Sequence, residues 1–187
     1  INLSSPDLII DRTDLMPLLV SRAKSAGVTI LNSCEFIGFE TRQNGTMIQV
    51  KKDGSVSHLK ANFWIGADGV QSAVRKNAFL DPVPSVPLLQ AEVELPEGWD
   101  RRMTKVWFDV ADTPYFYWLI PRNDRQAVVG LIGEQGDDVQ RLLDDFLAKQ
   151  DLVPVSFQSG QAAMHAQNII NKSQVGDLII LMVGDAA

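Results

Sequence analysis

Apolar positions change their spacing repeatedly along the chain, and each change marks an element. In DRTDLMPLLVSRAKSAGVTIL, Leu15, Leu18, Leu19 and Ala23 recur at helical spacing. Thr13 or Asp14 is placed to cap that helix, and Pro17 is tolerable only in its first turn. Gly27 ends it ahead of a short buried strand, Val28 to Leu31. With an apolar strand at residues 8 to 10 before it, this is half of an α/β unit. The period then falls to two. CEFIGFET, TMIQVKK and SHLKANFWIGADG read as three antiparallel strands, because Asn44-Gly45 and Asp53-Gly54 are hairpin turn signals. Phe63 to Ala67 continues as a last apolar strand into Asp68-Gly69, and SAVRKNAF follows as a short helix with Ser72 at its cap.

A proline-rich stretch, LDPVPSVPLLQ, reads as the crossing to a second region. There Leu88 to Glu94, Thr104 to Val110, Tyr115 to Ile120 and Ala127 to Ile132 read as strands of an antiparallel sheet. Val139, Leu142, Leu143, Phe146 and Leu147 then form the apolar face of an amphipathic helix. The stretch after it reads as loose, until Gly176-Asp177 turns into the apolar strand LIILMV.

Composition narrows the possibilities. The chain has 187 residues, 45% of them hydrophobic and 21% charged, which suits a packed core rather than a disordered segment. The net charge of -6 and the lack of a basic block argue against a nucleic-acid partner. Cys34 is the single cysteine, so no internal disulfide forms, and a reducing, cytoplasmic setting fits. No apolar run is long enough to cross a bilayer, which leaves peripheral membrane contact open. No cluster of metal ligands and no Ser/His/Asp set stands out. His58 reads as exposed, and His165 as structural or solvent-facing rather than catalytic.

Chemistry is concentrated in two places. In FWIGADGVQSAVR a strand ends in a Gly-Asp-Gly cluster at a helix start, where glycines permit close approach of a ligand and helix amides attract phosphate. An Asp-Gly turn that merely caps the helix is the plain alternative. In LMVGDAA another apolar strand delivers Gly184 and Asp185. No G-x-G-x-x-G fingerprint occurs.

Taken together, IGADGVQSAVRK, LIILMVGDAA and IDRTDLMPLLVSRAKSAGVTI resemble three motifs of the FAD-dependent aromatic hydroxylase and geranylgeranyl reductase superfamily, in that family's order. The resemblance implies a mixed α/β fold. Residues 1–79 and 176–187 would be part of an FAD-binding domain of the glutathione-reductase and aromatic-hydroxylase type. Residues 80–175 would be an antiparallel-sheet substrate domain. It further implies that Arg12, Asp68, Gly69, Gly184 and Asp185 contact FAD, with Asp185 accepting a hydrogen bond from a ribityl hydroxyl. Ser72 and Arg75 would support the first motif, Arg75 by pairing across the turn. NAD(P)H would be the electron donor. A glycine-rich strand–turn–helix is expected ahead of Ile1 and a loop and helix after Ala187, so the chain reads as a middle section, inactive by itself.

TPYFYWLIP supplies the second constellation. Tyr115, Tyr117 and Leu119 alternate with Phe116, Trp118 and Ile120 on a strand. Core packing explains this pattern. The resemblance adds a substrate wall, with Tyr115, Tyr117 and Trp118 as pocket candidates. The stretch is similar to a Y-x-W-x-F-P signature of geranylgeranyl reductases, with Phe116 in the Tyr position and Ile120 in the Phe position. An apolar or aromatic small-molecule substrate follows. The implied activity is an NAD(P)H-dependent hydroxylation by a flavin monooxygenase. Reduction of prenyl double bonds, flavin-dependent halogenation, and a non-catalytic scaffold that has lost its cofactor are the alternatives. No catalytic side chain and no metal is assigned.

Overall fold

A computed structural model describes residues 9–164 and 169–187. Leu8 and His165 lie outside them. Helix α1 (Arg12–Ser25) begins at Asp11, whose carboxylate accepts from the Thr13 backbone N–H at 2.8 Å and from the Thr13 hydroxyl at 2.7 Å. The cap is therefore Asp11 rather than Thr13 or Asp14. Pro17 sits beyond the first turn, inside the helix, at the cost of one backbone bond. No residue of α1 is buried. Ile9, Ile10 and the segment Val28 to Leu31 are not strands. Their extended stretches have no neighbouring strand among the described residues, and an unpaired strand has nothing to satisfy its backbone groups.

Strands β1 (Cys34–Arg42), β2 (Gly45–Lys52) and β3 (Ser55–Leu59) form the expected meander. The β2–β3 turn is Asp53-Gly54, with φ of 49° and 80°, a conformation that Asp-Gly adopts readily. On this sheet Glu40 accepts from Arg42 at 2.8 Å, from Gln49 at 3.0 Å and lies 3.1 Å from His58 Nε2. The Arg42 hydrogen bond is the main cause of a Glu40 pKa lowered to about 2. A depressed carboxylate stabilises the fold fully above its unfolded pKa of 4.5 and loses that contribution as pH falls toward 2. Urea midpoints of the wild type and Glu40→Gln should thus differ at pH 6, converge below pH 4.5 and coincide near pH 2, where persistence of the gap would refute the assignment.

Strand β4 (Phe63–Gly66) leads to helix α2 (Ala73–Asn77). A five-stranded antiparallel sheet follows: β5 (Ser85–Glu94), β6 (Lys105–Trp107), β7 (Tyr117–Pro121), β8 (Gln126–Ile132) and β9 (Pro154–Ala163), in the order β6-β7-β8-β5-β9. The stretch read as loose is β9, an edge strand along the whole of β5. Helix α3 (Val139–Lys149) covers one face of this sheet. Leu142, Leu143, Phe146 and Leu147 pack on Leu89, Ala91, Val93, Tyr117, Leu119, Ala127, Val129 and Leu131. Among the described residues no helix covers the opposite face, which carries Leu88, Gln90, Glu92, Trp118, Ile120, Val128 and Ile132, none of them fully buried.

Strands β10 (Lys172–Val175) and β11 (Leu178–Met182) close the fold. β11 pairs with β10 on one side and lies parallel to β4 on the other, Ile180 beside Trp64 and Met182 beside Gly66. The second core joins Ile48, Val50, Val74, Ala78, Leu178, Ile180 and Met182. Buried Thr46 holds the meander to this sheet. Its hydroxyl donates to the Val175 carbonyl at 2.8 Å, and its N–H donates to Asp177 at 2.6 Å.

Candidate cofactor and substrate site

The parallel pairing of β4 and β11 brings their C-terminal ends, Asp68-Gly69 and Gly184-Asp185, into one region, the place where parallel strands commonly present ligand-binding turns. Gly69 has φ 79° and Gly184 φ 63°, and a Cβ built on either would meet nothing within 4 Å. No neighbour therefore demands these glycines; the backbone conformation does, and it leaves open space beside the chain.

The first turn is a hydrogen-bonded unit. Asp68 accepts from the Ser72 hydroxyl and, at 3.1 Å, from the Val74 N–H, while the Ser72 oxygen accepts from the Arg75 N–H at 2.9 Å. Both Asp68 oxygens thus face its own helix, which gives that carboxylate a capping role. Asp185 is different. It is exposed in a single 3-10 turn, Gly184–Ala186, and has no hydrogen-bond partner among the described residues.

Arg75 is 3% exposed and has no carboxylate partner among the described residues. Its expected pairing across the turn is replaced by a set of oxygen acceptors. The guanidinium donates to the Ala186 carbonyl at 3.1 Å, Asn171 Oδ1 at 3.2 Å, the Ile170 carbonyl at 3.0 Å and the Asp81 carbonyl. It thereby fixes the second turn, with Asp185, against the helix of the first.

An open cleft of about 540 Å³ lies between these turns and the five-stranded sheet. Gly69, Gln71 and Asp185 wall one side, and Leu88, Ser159 and Gly160 the other. Leu88 and Gly160 are also register partners that begin a row across the open face, continued by Ile132. Trp118, Phe116 and Phe108 extend this surface, with ring centroids 6.1 Å and 6.0 Å apart along the series. Gly130 seats the indole, since a Cβ there would lie 2.4 Å from Trp118 Cζ2.

The three aromatic pocket candidates separate. Trp118 lies on the open face. Tyr117 points the other way, fully buried and stacked on Phe146 at 4.1 Å, so it belongs to the core and not to a pocket wall. Tyr115 is half-buried, its hydroxyl 3.5 Å from Met164 Sδ. Phe116 stacks edge-on with Trp118 and with the exposed Phe108, a residue the sequence did not single out. Arg12, at the exposed start of α1, is not among the residues that line the cleft. Its neighbour Asp11 reaches the sheet instead, through Arg122 at 3.4 Å.

Residues 5–187 match the family model of the FAD binding domain. Among curated proteins, the chain is 26% identical over 191 residues to a digeranylgeranylglycerophospholipid reductase of Methanococcus vannielii, covering 96% of this chain and 48% of the relative. It is 35% identical over 65 residues to a flavin-dependent monooxygenase of Mycobacteroides abscessus, covering 35% of this chain and 13% of that protein. The chain spans about half the length of the reductase it matches. Among solved structures, a geranylgeranyl bacteriochlorophyll reductase-like protein of Thermoplasma acidophilum superposes with a TM-score of 0.80 at 17% identity, over 94% of this chain and 47% of that one. That likeness establishes the fold.

Proposed function

The chain belongs to the FAD-binding domain family, and from that premise we propose that it serves an FAD-dependent oxidoreductase that reduces carbon–carbon double bonds of an apolar, prenyl-like substrate. One observation carries the reading. The cleft that gathers Gly69 and Asp185 opens onto a sheet face whose first row, Gly160, Leu88 and Ile132, holds no ionisable group.

The residues fit the cofactor. Gly69 and Gly184 leave room for its chain to pass along the backbone, and Asp185 offers a free carboxylate to a ribityl hydroxyl. FAD, once bound, supplies the hydride chemistry, with NAD(P)H as its source of electrons. The chain's own work is positional. Arg75 holds the Asp185 turn, Ser72 and Asp68 hold the Gly69 turn, and the face from Leu88 to Trp118 orients an apolar body by shape and excludes water. The described parts of residues 1–79, with 176–187, form the cofactor part of this proposal, and 80–175 the substrate part. Arg12 joins the cofactor contacts only if the phosphate-binding region reaches the start of α1.

The reductase reading moves ahead of hydroxylation because the reductase relative matches nearly the whole chain, whereas the monooxygenase match spans 65 residues. Hydroxylation stays the second reading, supported by that local match. The purified protein should carry a flavin spectrum that NADPH bleaches without oxygen. Substrate turnover under those anaerobic conditions supports reduction. Turnover that requires stoichiometric oxygen supports hydroxylation and overturns the leading reading. Asp185→Ala should weaken FAD binding about tenfold, the cost of one charge-assisted hydrogen bond. Fluorescence titration of apoprotein checks this, and an unchanged affinity removes Asp185 from the cofactor's contacts.

A further inference from the structure

Beyond the apolar row, the open face changes character. Four residues along β5 from Leu88, about 13 Å at the rise of a strand, stands Glu92. Between them Gln90 donates to Gln158 across the ladder at 2.8 Å. Gln90, Glu92, Arg122, Val128, Ser156 and Gln158 surround a small pocket of about 70 Å³. Its charges do not balance. The Arg122 guanidinium stands 3.6 Å from Glu92 and 3.4 Å from Asp11, one cation between two carboxylates. Glu94 lies farther along the same face, and among the described residues of the five strands that face presents no lysine.

We propose that this pocket is a subsite for the far end of the substrate, and that it takes a neutral hydroxyl or carbonyl group while rejecting phosphate and carboxylate. The proposal rests on the reading of the open face as the substrate's floor. A hydroxyl suits the pocket in both directions: it donates to Glu92 or to an amide oxygen, and accepts from an amide N–H, the Ser156 hydroxyl or Arg122. An anionic group meets two carboxylates and finds the one cation already shared between them, so its lost hydration is not replaced. The substrate class is therefore a long apolar molecule with an uncharged oxygen function about 13 Å from the carbons presented at the cleft. This sets the chain apart from the relative whose name specifies a phospholipid.

The test compares a twenty-carbon prenyl alcohol with its phosphate monoester by calorimetry on the purified protein. The alcohol should bind about tenfold more tightly. Glu92→Gln should narrow that ratio and Arg122→Gln should widen it, opposite changes that general damage to the face would not produce. Gln158→Leu should weaken the alcohol and leave the phosphate unchanged. Equal binding of the two ligands, a ratio unmoved by both charge variants, or no binding of either ligand to flavin-loaded protein overturns the subsite. Selective binding of the alcohol by protein that never takes up flavin supports the subsite and counts against the cofactor reading alone.

Discussion

Arg75→Met should destabilise the protein by about 3 kcal/mol or more, a large share of the stability of an ordinary domain. Methionine fills much of the same volume but donates nothing. The buried Ala186 carbonyl would lose its donor outright, the carbonyls of Asp81 and Ile170 and the Asn171 side chain would lose part-buried bonds, and the Arg75 site itself is only 3% exposed. Every buried acceptor left without a partner costs about 1–3 kcal/mol. Arg75→Lys keeps the charge, but its ammonium cannot span acceptors set around a planar fork, so part of the loss should remain. Urea unfolding measures the stability change. FAD affinity of the folded fraction gives a second readout, because release of the Ala186 carbonyl frees the turn that carries Asp185. A Met variant as stable as the wild type would show that the carbonyls find other donors and that Arg75 is dispensable.

Tyr117→Ala should cost about 3–5 kcal/mol, the range for removing a large aromatic side chain from a packed core. The ring is fully buried between the sheet and α3, stacked on Phe146 with an interplanar angle of 9°. Tyr117→Phe keeps the ring and loses only the hydroxyl's bond to Asp112 at 3.2 Å, so it should cost about 1 kcal/mol. Burial first, and then the Asp112 carboxylate, hold the phenol well above its ordinary pKa, so it stays protonated at neutral pH. The pair of variants distinguishes a core residue from a pocket residue. A core role predicts a stability loss with unchanged substrate KM in Tyr117→Phe. A raised KM at unchanged stability would return Tyr117 to the substrate wall.

The elements that could be read from the chain are those whose partners are local. Helix α3 announces itself because Leu142, Leu143, Phe146 and Leu147 fall on one face within three turns, and that face alone dictates its packing. The alternation of β7 likewise sorted Tyr117 from Trp118, although not which side was covered. Strand β9 escaped notice because Ser156, Gln158, Ser159 and Gly160 carry little apolar signal. Its strand state comes from one long ladder to β5, residues distant in sequence. The same limit hid the partners of Arg75: backbone carbonyls have no side-chain signature, and two of them lie 95 and 111 residues away. Val28 to Leu31 failed in the opposite sense. Its composition suits a strand, but a strand is a relation between segments, and none of the described segments lies beside it. For the site, the two glycine-aspartate turns were legible as motifs. That one aspartate caps its own helix while the other stands free was not, because it depends on which hydrogen bonds each turn closes.

The parallel seam between β4 and β11 has a consequence for how such a protein can diversify. Because Phe63 pairs with Ile179 and Ile65 with Leu181, the chain leaves that seam after Gly66 and comes back to it at Leu178. Everything built in between, including the whole five-stranded sheet and α3, is an excursion anchored at both ends in one rigid base. Exchanging only the five-stranded sheet and α3 within it would alter the surface beside the cleft while leaving the turns at Gly69 and Gly184 in register, so new recognition surfaces can arise on an unchanged base.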